Sequence, residues 1–118
     1  MRRNPFKYSA SSEIWWRNML SEISGYQPKT TFFADLSIAE CFGQKAVQDT
    51  YVKALKSYRN NIVYITELVL CLNHKIWQLH QIDEPMAKLY DDLWRQGQEY
   101  VIKHFKGEDL SYYYNVTD

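Results

Sequence analysis

Glycine and proline are scarce: four glycines and three prolines punctuate 118 residues. So few turn formers exclude collagen-like, linker-like and low-complexity chains and fit long elements with few joints. Cysteine is scarcer still. Cys41 and Cys71 are too few for the disulfide framework of a small secreted domain and read as reduced thiols. Net charge is absent as well, because 14 basic and 14 acidic side chains cancel. No global field draws the molecule to phosphate backbones or anionic lipid. Nor is there an apolar run long enough to cross a bilayer, since the longest, Ile62 to Leu72, is interrupted by Thr66 and Glu67. The opening MRRNPFKYSASSE is basic but has no apolar stretch behind it, unlike a secretory signal. The expectation is a cytoplasmic protein with no membrane partner.

What is present is an apolar share of 46%, enough to fill a core, and an aromatic share of 16% that includes ten tyrosines and four tryptophans. A chain of this length makes one domain and needs no metal or disulfide to hold it. A single helical domain over 1–118 is expected, with 1–10 and 108–118 as flexible tails, the latter with room for a short turn of helix in EDLSYYYNVTD before the tail.

The spacing of apolar residues is helical throughout, with no strand-like alternation and no repeat. Ser11 and Ser12 can cap a helix carrying Trp16, Met19, Leu20 and Ile23, which Gly25 and Pro28 end. Thr30 or Thr31 opens FFADLSIAECF, closed by Gly43, as one helix or two short turns. Gln44 to about Tyr58 makes a third helix. The strongest pattern is Ile62, Ile65, Val69, Leu72, Ile76 and Leu79, a 3-4 seam within roughly 60–82. Asp83, Glu84 and Pro85 then start a helix over roughly 84–106, buried through Met86, Leu89, Leu93, Tyr100 and Val101. Gly97 lies inside it, which predicts a close approach by another backbone. The fold class is all-α: about five helices, bundle-like, with a long antiparallel hairpin at roughly 60–82 and 84–106.

Three features carry candidate chemistry. In TELVLCLNHKIW, residues Glu67, Cys71 and His74 fall within about 60° of one another on a helical projection, a carboxylate, a thiol and an imidazole on one stripe. Tetrahedral zinc needs three or four such ligands, so the stripe is a weak metal candidate that would need Cys41, His80 or His104 to complete it. As a nucleophile Cys71 lacks a glycine-rich turn for an oxyanion hole. The bland alternative, packed structural residues, is preferred. No Glu-x-x-His pair, Walker loop, dinucleotide fingerprint or Gly-x-Ser-x-Gly occurs, so no catalytic residue, no cofactor and no enzymatic activity are expected.

The second feature is LSIAECFGQKAVQDTYVKAL. Ala39 and Gly43, with Ile38 and Phe42 beside them, have helix-turn-helix spacing, but Gln44 and Asp49 stand where apolar residues are wanted. A degenerate motif at 36–59 would touch DNA phosphates through Lys45, Lys53, Lys56 and Arg59, against a balanced net charge that gives nucleic acid no support. The third feature is ring adjacency. Trp15 with Trp16, Phe32 with Phe33, and Tyr112, Tyr113 and Tyr114 cannot all point inward from one helix, so some should face a neighbour. These aromatics and the heptad surface are the expected contacts of a homo-oligomer or of a protein partner.

Through TTFFADLSIAECFG, QDTY, TELVLCLNHKIW and KGEDLSYYYNVTD the chain resembles a group of small helical proteins of prophages and other mobile elements in gut-associated bacteria. The likeness covers approximately Pro28 to Asp118. It implies a cytoplasmic phage-type accessory protein with no assigned activity, and so carries over no site residues. His74 stands where relatives are expected to have tryptophan, which weakens a metal role. The reading is a non-enzymatic interaction or structural module, with the DNA-binding regulator as alternative.

Overall fold

The computed structural model describes residues 28–117. Those residues form five α-helices and no strand: α1 (Phe32–Glu40), α2 (Gln44–Tyr58), α3 (Ile62–Leu79), α4 (Glu84–His104) and α5 (Ser111–Thr117). The all-α, bundle-like class is as the periodicity predicts. The helix expected between Ser12 and Ile23, with Trp15 and Trp16, lies outside the described residues.

The helices start and stop for identifiable reasons. Asn61 caps α3, its side-chain oxygen accepting from the N–H groups of Val63 and Tyr64 at 3.1 and 3.2 Å. Asp83 caps α4 by accepting from Met86 N–H at 3.2 Å, with Pro85 in the first turn where its missing N–H costs nothing. Gly43, at φ 105°, supplies the backbone angle that lets α1 turn into α2 across three residues. FFADLSIAE is thus one helix, not two turns.

The 3-4 seam is the axis of the molecule. Ile65, Val69 and Leu72 are fully buried and Ile62, Ile76 and Leu79 half-buried, packed in the main against α4. A Cβ added at Gly97 would stand 3.3 Å from Val69 Cγ2 and 3.9 Å from Leu72 Cδ1. The close approach predicted there is real but is made by side chains of α3 and by the Tyr51 hydroxyl rather than by a second backbone. The outer face of α4 carries two acid–base pairs at i, i+4, Asp91–Arg95 at 2.8 Å and Glu99–Lys103 at 3.7 Å. Glu84 turns back to His80 Nδ1, 3.5 Å away.

The segment after Gly107 carries the short helix that its sequence allows, over seven residues. Residues 111–117 form α5, which lies on α3 and buries Tyr113, whose hydroxyl donates to Gln98 Oε1 at 2.8 Å. Leu110, Tyr112 and Val116 join the same contact as half-buried neighbours. On the other side, α1 lies across α2 and α3 and completes the core with Phe32, Phe33, Leu36 and Ala39.

Candidate functional site

The densest chemistry lies beneath α1, on a stripe of α3 that the apolar seam does not use. Residues Glu67, Cys71 and Lys75 follow at i, i+4 and i+8, and all three are buried. Glu67 accepts from the backbone N–H of Lys29 at 2.6 Å, from that of Thr30 at 2.8 Å and from the Thr30 hydroxyl. Eight residues on, which is about 12 Å along a helix, Lys75 donates to Ser37 Oγ at 2.7 Å and pairs with Glu40 Oε2 at 2.9 Å. Its ammonium also stands 4.4 Å from the centre of the Phe33 ring. Tyr90 of α4 closes the cluster by donating its hydroxyl to Glu40 Oε2 at 2.6 Å.

Burial sets the electrostatics. It pulls Lys75 below the ordinary lysine value while the Glu40 carboxylate pushes back. It drives the Cys71 thiol well up, and the nearby Glu67 charge drives it further. Tyr90 is raised by burial and then by Glu40. Cys71 is therefore a protonated, enclosed thiol and a poor nucleophile. Lys75 beside Ser37 has the residue types of a serine–lysine nucleophile pair, yet the Ser37 hydroxyl donates to the Phe33 carbonyl at 3.1 Å and Lys75 is tied to Glu40. The proton flow such a pair needs, from serine to a free amine, is not set up.

The stripe read as packed structural residues, with a metal only as the weak candidate, is changed in membership. Lys75, not His74, joins Glu67 and Cys71 beneath α1: His74 and Lys75 fall on opposite sides of the Glu67 direction, and α1 covers the side that carries Lys75 and leaves His74 half-buried. A cation in that place opposes a second positive charge, and the Glu67 carboxylate already accepts three hydrogen bonds. Among the described residues no group of three or more His, Cys, Asp or Glu side chains is placed to hold one. Lys75, Glu40, Ser37 and Tyr90 were not foreseen. The available signal was a lone lysine inside the apolar run of α3.

The expected aromatic contacts need correction. Phe32 and Phe33 are both buried, since α1 sits in the corner between α2 and α3 and is covered on two sides: Phe33 meets Lys75, and Phe32 lines a groove with Ala54 and Tyr58. Tyr113 is buried and Tyr112 half-buried, which leaves Tyr114 as the exposed ring of that trio. Trp15 and Trp16 are outside the described residues. The large apolar side chains that do face water are elsewhere, with Phe42 78% and Ile38 62% exposed at the end of α1.

Of the basic residues proposed for DNA, Lys45, Lys53, Lys56 and Arg59 are all exposed on α2 or its end. Lys45 is paired with Asp49 at 3.3 Å, and the Arg59 carbonyl accepts from the Tyr100 hydroxyl at 2.9 Å. Val47 and Tyr51 hold α2 on the core, while Ile38 and Phe42, which a helix-turn-helix would bury, point outward. Two shallow grooves mark the surface. One, of about 260 Å³, lies between α1 and α2 over Phe32 and Lys53, and the other, of about 520 Å³, lies between α2 and α4 beside Tyr51 and Tyr100. Neither reaches the buried cluster. No protein-family model, curated protein or solved structure matches the chain.

Proposed function

We propose that the protein is a non-enzymatic interaction module that self-associates, and that the contact is made by the outward face at the end of α1. The observation that carries this reading is the exposure of Phe42 and Ile38, two large apolar side chains one helical turn apart. A second copy turned about a two-fold axis sets these apolar residues against their own counterparts, the self-complementarity that an isologous contact requires. The heptad seam is already engaged within the molecule, and Phe32, Phe33 and Tyr113 are buried, so these do not supply this contact. The nucleic-acid reading has less support, since one of its four cations is paired and the apolar residues of its motif face water.

Light scattering across a concentration series tests the proposal. The expected result is a dimer that Phe42→Ser converts to a monomer with unchanged helical content. A wild-type protein that stays monomeric to about 100 μM, a weak-dimer threshold of roughly −5.5 kcal/mol, overturns it.

A further inference from the structure

The attachment of α1 to the rest of the molecule has an unusual composition. Two buried side chains of opposite charge on α3 hold its two ends. Glu67 takes the N–H groups of residues 29 and 30, at the end where the helix carries partial positive charge. Lys75 takes Ser37 and Glu40, at the end of partial negative charge. Between these anchors, Cys71 is fully buried on the same stripe of α3 that α1 covers. The apolar contribution is four side chains, Phe32, Phe33, Leu36 and Ala39. Beyond α1, Gly43 provides a joint.

We propose that residues 28–43 form a strap that opens as a unit about Gly43, ahead of the unfolding of α3, α4 and α5, and that opening uncovers Cys71. Three physical features support the order of events. A helix of nine residues has no stability of its own and survives by docking. Its anchors are charges and polar groups that regain hydration on release, whereas the leucine and valine seam of α3 and α4 gains nothing from water. Segments with fewer buried apolar contacts are those that open locally below the global free energy.

The two cysteines allow a direct test. In full-length protein carrying Cys41→Ser, which removes the exposed thiol, reaction of Cys71 with an aromatic disulfide reagent reports strap opening. The expected result is labelling in the absence of denaturant, faster than the globally unfolded population allows and weakly dependent on urea. Glu67→Gln, which loses a charged acceptor, should accelerate it about tenfold. Val101→Ala, on the buried face of α4 some eleven residues beyond Tyr90, should lower global stability without changing that rate. Should Glu67→Gln fail to fold, Glu40→Gln weakens the other anchor and carries the same expectation. Labelling that tracks global unfolding, or that Val101→Ala accelerates as strongly as the anchor variants do, overturns the strap.

Discussion

The α3–α4 pair and the α1 strap are both helix contacts on the same rod, yet they are joined by different physics. Between α3 and α4 the contact is a continuous row of aliphatic side chains, with Gly97 admitting Val69 and Leu72. Such a row is strong because it takes a continuous apolar surface out of water. Between α1 and α3 the contact mixes four apolar side chains with Glu67 and Lys75. Buried charge adds little net stability, since removing it from water costs about what the pairing returns. What it adds is register and direction: an acid at one end and a base at the other admit α1 in one orientation. One face of α3 therefore supplies stability and another supplies specificity.

The largest effect should come from alkali, which attacks both regions together. Burial raises Tyr51 and Tyr113 to about 12, and burial with the Glu40 charge raises Tyr90 as well. The unfolded chain releases these protons near 10. The Tyr51 and Tyr113 phenols therefore stabilise the fold fully below pH 10, and their contribution is lost as pH climbs through about 12, while Tyr90 acts in the same direction. Lys75 acts in the opposite sense. Its folded value lies below 10.5, so the unfolded chain holds the proton longer and stability gains as pH rises toward that value. The urea midpoint should hold up to about pH 10 and then collapse toward pH 12. Phenolate absorbance should show a late group of tyrosines ionising with unfolding; a single transition of all ten near pH 10 in still-folded protein would contradict the burial on both sides.

Next in size is Leu72→Ala on the seam, where a fully buried side chain gives way to a cavity. A loss of about 3 to 4 kcal/mol in urea unfolding is expected. On the strap side the comparison sharpens into two replacements of one residue. Lys75→Ala removes the partner of Glu40 and leaves a void, for a loss of about 2 kcal/mol, moderated because Glu40 is itself 20% exposed and keeps the Tyr90 hydroxyl. Lys75→Met fills the same space without charge and should fall within about 1 kcal/mol of wild type. If methionine cost as much as alanine, the ion pair would be a source of stability and the contrast between the two contacts would fail.

The same contrast explains what could be read from the sequence. The seam from Ile62 to Leu79 and the starts at Asn61 and Asp83 are local patterns, visible because helical periodicity and capping act within a few residues. The anchors join residues far apart in the chain, 37 and 38 positions for the Glu67 and Lys75 bonds and 50 for Tyr90 to Glu40. No period links such pairs, so the sequence shows the stripe as Glu67, Cys71 and His74, without the Lys75 cation and without the helix that covers it. The inference from Phe32 and Phe33 assumed one covered side per helix, and α1 has two. Tyr113 was unreadable for a simpler reason, since α5 is seven residues long and too short to display a repeat.

The smallest effect tests whether burial, and not the chemistry of the pair, makes the strap anchor matter. Lys45 and Asp49 form a lysine–carboxylate contact at 3.3 Å, much like Lys75 and Glu40 at 2.9 Å. The environments are opposite: the Lys45 side chain is 85% exposed and that of Lys75 1%. Water already solvates both partners of the surface pair, salt screens them, and holding two long side chains in place costs rotamer freedom. Lys45→Ala should therefore shift stability by no more than about 0.5 kcal/mol and respond to added salt. A change in the urea midpoint as large as that of Lys75→Ala would mean that exposure does not govern these pairs, and the distinction between a registering anchor and a surface ornament would have to be abandoned.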